Sequence, residues 1–191
     1  FGVIGSITPS TNPTSTVINN SISMIAAGNA VVFNPHPGAK RCSQETMRLL
    51  NEAIAAAGGP ASLITTVREP TPESGQAIML HPDIRLLSIT GGEAVVQIAM
   101  KTGKKVIAAG PGNPPVIVDE TADIPAAARD IVDGASFDNN VLCICEKEVF
   151  AVSAIADRLM EEMAKNGALR IYGQDIERVA ALTLKPQDGR H

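Results

Sequence analysis

Two cysteines late in the chain are the residues best suited to do chemistry. Cys143 follows a polar turn, Asp138-Asn139-Asn140, and precedes an apolar run. A thiol on such a loop can be reached by substrate, and a thiolate is the best protein nucleophile at neutral pH. The competing reading is a small apolar side chain in a buried strand, because free cysteine is usually buried. Cys145 stands two residues further on. In a strand it would share a face with Cys143; in a loop it need not. A Cys-x-Cys pair also raises metal or redox work. No second ligand pair accompanies it and the nearest histidine is far along the chain, so no metal is expected. A disulfide between sulfurs so close in sequence would be strained. Cys42 opens a helical segment and reads as structural.

Three further places can meet a ligand. Asn12 lies in Thr8-Pro-Ser-Thr-Asn-Pro13, just ahead of a helix. It reads first as a helix cap and second as an oxyanion donor. Thr90-Gly91-Gly92 ends a strand and begins a helix, where backbone N–H groups can meet a dinucleotide phosphate. The full G-x-G-x-x-G fingerprint is absent there. Gly110-Pro111-Gly112 does not supply it either, because Pro115 takes the last glycine's place. His36, held between two prolines, faces a ligand or is simply a turn residue.

The elements that must position these residues alternate between short β-rich runs and helical segments, which implies α/β architecture with parallel strands. Strands are expected over 1–7, 30–33, 63–67, 85–89 and 105–109, with helices over 14–27, 39–57, 71–80 and 93–102. Thr71 should cap the third helix with Pro72 at its first position. Units of this kind compose a doubly wound sheet. Gly110-Pro-Gly-Asn-Pro-Pro115 is the strongest break and a candidate hinge. It divides the chain into an expected cofactor domain, 1–109, and the start of a second α/β domain, 110–191. Beyond it come a strand over 116–118, a helix over 124–134 with Asp123 as N-cap, a loop over 138–143, a strand over 148–152 and an amphipathic helix over 154–165.

Composition excludes several classes. The chain has 191 residues, 45% hydrophobic and 19% charged, with net charge −4. That is room for one good core or two small ones. No Lys/Arg cluster points to nucleic acid or an anionic membrane. No apolar run of about 18 residues suggests a span, and no basic leader precedes an apolar stretch. Three cysteines form no disulfide framework, which fits a reducing cytosol. The opening Phe1 and the abrupt end, Gln187–His191, read as a piece of something longer.

Taken in order, five segments carry a resemblance along the entire chain. They are Ile7-Thr-Pro-Ser-Thr-Asn-Pro-Thr-Ser15, Asn34-Pro-His-Pro-Gly-Ala-Lys40, Ile89-Thr-Gly-Gly92, Gly110-Pro-Gly-Asn-Pro-Pro115 and Ser136-Phe-Asp-Asn-Asn-Val-Leu-Cys143. Each is short, but the series resembles the aldehyde dehydrogenase superfamily. Within it the chain is most similar to the CoA-acylating branch, of the acetaldehyde/propionaldehyde type found in ethanolamine and propanediol utilisation. The resemblance implies an aldehyde-dehydrogenase-like fold. It also implies NAD-dependent oxidation of a short aldehyde to acyl-CoA.

The same resemblance assigns roles. Cys143 matches the catalytic thiol. Asn12 matches the side-chain donor that holds the oxyanion together with the Cys143 N–H. Such donors are worth about 2–4 kcal/mol of barrier. Thr8, Pro9 and Ser10 match the strand end beside the nicotinamide. Asn34, His36 and Pro37 replace a Lys-Pro-Ser-Glu run that holds the adenosine ribose, leaving a differently shaped groove open to CoA as well. Thr90, Gly91 and Gly92 match the turn beside the cofactor phosphates, and Gly110, Pro111 and Gly112 are grouped with the cofactor residues. Ala109 stands where hydrolytic members carry the Glu that activates water, which favours CoA as acyl acceptor.

Coenzyme A is therefore the implied co-substrate. A homo-oligomer is the implied assembly, and a microcompartment shell a further partner. The implied location is the cytoplasm, free or inside a bacterial microcompartment. Competing assignments are the aldehyde dehydrogenase half of a bifunctional aldehyde–alcohol dehydrogenase, a hydrolytic member, a phosphate-using relative, and a catalytically inactive binding module.

Overall fold

The computed structural model describes residues 1–183; the terminal stretch Gln187–His191 lies outside them. Two compact units divide after Gly112.

In the first unit, five parallel strands form one sheet. They are β1 (Val3–Thr8), β2 (Ala30–Pro35), β3 (Ile64–Thr66), β4 (Ile84–Thr90) and β5 (Lys105–Ala109), in the order β3-β2-β1-β4-β5. Helices α1 (Pro13–Ala26), α2 (Lys40–Ala56), α3 (Pro72–Leu80) and α4 (Glu93–Met100) make the connections. The side-chain alternation of the strands sorts these helices onto two faces. Val31 and Phe33 pack with Val17 of α1, Met47 of α2 and Ile64 of β3. Ile7, Leu87 and Ile89 pack with Ile78 and Met79 of α3 and Ala99 of α4. Apolar runs such as Ile84-Arg-Leu-Leu-Ser-Ile89 belong in a sheet covered on both sides.

The chain winds outward from β1 through β2 to β3, then returns to the other side of β1 to lay down β4 and β5. Close packing holds that central pair. Gly5 of β1 faces Leu87 of β4 in register. A Cβ at Gly5 would come within 2.7 Å of Ile78 Cγ2 and 3.1 Å of Leu87 Cδ2, so only glycine fits beneath α3.

The second unit has a two-stranded parallel sheet of β6 (Pro115–Val118) and β7 (Glu148–Ala151). Helices α5 (Ile124–Ser136) and α6 (Ser153–Lys165) share a core with it, built from Val118, Ile124, Ala128, Ile131, Ile155 and Leu159. Asp123 caps α5 by accepting the Ala126 N–H at 3.2 Å. A last helix, α7 (Gln174–Thr183), follows.

Two features depart from expectation. The stretch ahead of Cys143 is a structured turn rather than an open loop. Phe137–Asn140 forms a 3-10-like turn in which Asp138, Asn139 and Asn140 all take left-handed backbone angles, with φ of 48°, 53° and 60°. Asn and Asp tolerate that region better than other non-glycine residues. Helix α7 has no counterpart among the expected elements, because the Asn166-Gly167 stop ends the last strongly amphipathic run.

Leu87 is fully buried and Leu80 is 56% exposed. Leu87→Ala should therefore destabilise the first unit by about 2–5 kcal/mol. Leu80→Ala should stay within about 0.5 kcal/mol. Urea unfolding followed by circular dichroism measures both.

Candidate functional site

The first unit contains a cleft of about 560 Å³ at the carboxyl ends of its strands. In a doubly wound sheet, ligands bind where the strand order reverses, here between β1 and β4. Thr8 and Pro9 come from the end of β1, and Asn34, His36 and Pro37 from the end of β2. Thr90, Gly91 and Gly92 come from the end of β4 and the start of α4. Eight of the residues singled out from sequence thus share one cavity. Ser10, Gly110, Pro111 and Gly112 do not line it. The last three sit at the division between the units.

The walls are apolar, with Ile7 and Met79 on one side and Val95 and Ile98 on α4. That volume and lining suit the adenosine part of a dinucleotide. Thr8 Oγ1 is buried without a hydrogen-bond partner. Gly92 is the N-cap of α4 and has no side chain to cap it, so the helix's first N–H groups remain free for an anion. The Gly91 N–H is engaged by the Ala109 carbonyl at 3.1 Å, which ties the end of β5 to this turn. The residues present therefore fit a dinucleotide.

His36 is fixed from two directions. Its backbone N–H extends the ladder to Thr8 O at 2.9 Å. Its Nδ1 accepts the Gly38 N–H at 3.1 Å, which places the proton of the neutral ring on Nε2. Asn34 is buried, and its amide is used internally. Oδ1 accepts from Ser74 Oγ at 2.5 Å and Nδ2 donates to Thr71 O at 3.4 Å. Asn34 thus fixes the start of α3 beside the cleft. Gly75 permits this: its Cβ would lie 3.3 Å from Asn34 Nδ2.

Sequence reasoning missed the contribution of α3. Thr71, Glu73 and Gln76 all line the cleft. The Thr71-Pro72 start was legible as a helix signal, but its position at the cavity depends on β4 returning beside β1. Glu73 is the one charged residue in the lining.

Asn12 occupies the N-cap position of α1, yet its side chain makes no cap hydrogen bond. Oδ1 accepts from the Ser15 hydroxyl instead. Its amide N–H groups donate to nothing among the described residues, which departs from the cap reading.

In the second unit, Cys143 is half-buried, Cys145 is buried, and Cys42 of the first unit is exposed. Cys143 lies in a turn closed by the Cys145 N–H on Leu142 O at 3.3 Å, not in a strand. Cys145 Sγ lies 3.5 Å from Phe137 O. Asn140 Nδ2 donates to Ala135 O at 2.6 Å and Glu146 O at 3.0 Å, joining the end of α5 to the far side of the turn. Lys147 Nζ donates to Asn140 Oδ1, to Leu142 O at 3.3 Å and to Cys145 O at 3.2 Å. Among the described residues no three His, Cys, Asp or Glu side chains come together as metal ligands would. No helix there is long and apolar enough to cross a membrane.

A model of the aldehyde dehydrogenase family matches residues 1–182. An acetylating acetaldehyde dehydrogenase from Bilophila wadsworthia is 57% identical over 97% of this chain and 38% of its own. A propionaldehyde dehydrogenase from the fucose-utilisation microcompartment of Clostridium phytofermentans superposes with a TM-score of 0.86 at 51% identity, over 97% of this chain and 43% of that one. A Rhodopseudomonas palustris propionaldehyde dehydrogenase, solved with bound CoA and an acylated cysteine, gives 0.84 at 51% identity over 99% and 43%. The chain spans about two-fifths of the length of these relatives.

The first turn of α3 offers a direct test. Thr71 and Ser74 cap each other reciprocally, at 3.2 Å and 2.8 Å. The Thr71 hydroxyl, and then Glu73's own backbone N–H, hold the Glu73 carboxyl below the usual carboxylate range. A depressed carboxylate contributes stability above its unfolded pKa and loses it as pH falls through the folded value. Thr71→Ala should cost about 1 kcal/mol through the lost cap and move the Glu73 titration back up. Carboxyl-carbon NMR titration reads the second effect; an unmoved Glu73 would separate it from the cap.

Proposed function

Because the chain belongs to the aldehyde dehydrogenase family, we propose that it forms the thiol-bearing and dinucleotide-binding part of a CoA-acylating, NAD-dependent aldehyde dehydrogenase. The observation that carries this reading is Cys143, a half-exposed thiol on a tied turn. Its backbone N–H donates to no group among the described residues. Support comes from the acylated cysteine and bound CoA of the Rhodopseudomonas relative.

The Cys143 thiolate adds to the carbonyl carbon of a short aldehyde, acetaldehyde or propionaldehyde, and gives a thiohemiacetal. The Cys143 N–H donates to the oxygen as it takes on charge, and the family resemblance gives Asn12 the role of the side-chain donor. A dinucleotide bound in the cleft would supply the hydride acceptor, and Cys143 would then carry the acyl group as a thioester. The CoA thiol then attacks the thioester and releases the Cys143 thiolate. Aldehyde, CoA and NAD⁺ are consumed; acyl-CoA, NADH and one proton are formed.

Ala109 supports thiol rather than water as acceptor. It ends β5, paired with Thr90, and its methyl group can take no proton from water. The thiol of CoA needs less help. Glu73 supports NAD⁺ over NADP⁺, because a carboxylate and no cation lines the cleft where a 2′-phosphate would need neutralising. Thr8, Pro9, His36, Pro37, Thr90, Gly91 and Gly92 are the proposed cofactor contacts in the cleft. Asn34 lines the cleft as well, with its amide committed to α3. The full-length protein is proposed to be a homo-oligomer in the cytoplasm or within a microcompartment. The Clostridium relative from such a compartment supports the latter.

NADH formation from propionaldehyde by the full-length protein should depend on CoA and vanish in Cys143→Ala. Equal rates without CoA would make water the acceptor. Iodoacetamide labelling checks the thiol itself. Exposure alone favours Cys42, so faster labelling of Cys143 marks an activated nucleophile, and slower labelling an inactive binding module.

A further inference from the structure

The turn that presents Cys143 is organised around a lysine that the mechanism above does not use. An ammonium has three N–H donors and no acceptor. Those of Lys147 meet three oxygens: Asn140 Oδ1, Leu142 O at 3.3 Å and Cys145 O at 3.2 Å. The two carbonyls belong to residues on either side of Cys143 along the turn. The third acceptor, Asn140, is itself fixed, because its amide donates to Ala135 O and Glu146 O. Lys147 is anchored in turn by its backbone N–H on Pro114 O at 3.0 Å.

Peptide geometry gives this arrangement a consequence. The chain has no cis peptide bond among the described residues. In a trans peptide the C=O and the following N–H point in opposite directions in one plane. Leu142 C=O is directed at the ammonium, so the Cys143 N–H points away from it. That N–H is the backbone donor assigned to the oxyanion.

We propose that Lys147 is a positioning residue for the acylation of Cys143. Its ammonium orients the Leu142–Cys143 peptide and polarises it by drawing on the carbonyl, so that the N–H is held ready for the developing oxyanion. The inference rests on Cys143 being the nucleophile. A charge-assisted bond to a carbonyl is stronger than a neutral one, which suits a group that must not swing during the reaction. Asn140 serves as the second jaw of the same clamp, and its left-handed backbone brings the side chain back over the turn.

The test uses the full-length protein with CoA, NAD⁺ and propionaldehyde. Lys147→Met keeps the length of the stem and removes the ammonium; Lys147→Arg restores a cationic donor. Each rate is normalised to the fraction of folded protein, read from circular dichroism, which removes misfolded protein from the comparison. Removing an oxyanion donor outright lowers kcat by about 10²–10³-fold. Loosening one should lower kcat about tenfold or more in Lys147→Met, with the aldehyde KM unchanged within about twofold. Lys147→Arg should recover a substantial part of the loss. Wild-type kcat per folded enzyme in Lys147→Met would overturn the proposal. So would an equal fall in both variants with KM rising in parallel, which marks a structural lysine. A wild-type protein whose Cys143 takes no acyl group from aldehyde and NAD⁺ would sink the nucleophile assignment itself, and the two failures are distinguished by that control.

Discussion

Two parallel strands that lie side by side while the chain leaves them for opposite edges of the sheet are the constraint on which the first unit depends. From β1 the connection runs toward β2, and from β4 toward β5. No connection can cover the carboxyl ends of both, so a crevice remains between them. Thr8 and Thr90 end there because Ile7 and Ile89 are held in register one residue earlier, by the packing that Gly5 allows. Helices α3 and α4 then form the walls. Their inner faces bury Ile78, Met79 and Ala99 in the core, and their first turns are left to shape the opening.

The second unit solves a different problem. As the proposed nucleophile, Cys143 must be exposed enough to react and fixed enough to react in one direction. The structure meets both demands with a turn whose strain is local. Three successive non-glycine residues hold left-handed angles, a state that persists only where neighbours over-determine it. Asn140 supplies that restraint through two hydrogen bonds, and Cys145 is buried two residues beyond the half-exposed Cys143. Alternate burial of the two thiols follows from the turn, not from a strand.

Much of this was legible in the residues. Hydrophobic periodicity located every strand and the first six helices to within a few positions, because the runs are bounded by Gly, Pro, Asn and Asp. Thr71 and Asp123 act as the caps their side chains suggest. The family resemblance, carried by five short segments, agrees with the match over residues 1–182. What sequence could not supply was the partner of each polar group. Asn12 stands at a cap position but accepts from Ser15. Asn34 lines the cleft while its amide holds α3. Glu73 and Lys147 belong to ordinary-looking charged surfaces until the tertiary fold brings them to the cleft and the thiol turn. For Asn34 and Glu73 the reason is long-range placement; for Asn12 and Lys147 the partners are near in sequence, but which of them a flexible polar side chain takes depends on the turn's backbone geometry.

The central strand has a consequence for how the chain assembles. Val3 pairs with Ala30 on one side and with Ile84 on the other. The first pairing closes a short loop; the second must wait for a much longer one, whose closure entropy is larger. High contact order of this kind slows folding. During synthesis, β1 and β2 can meet while the opposite edge of β1 is still an open template for another chain. The crevice that suits a dinucleotide is therefore among the last features of the first unit to form. A nascent chain is most open to misassembly along the edge of β1 that later becomes the cleft's floor.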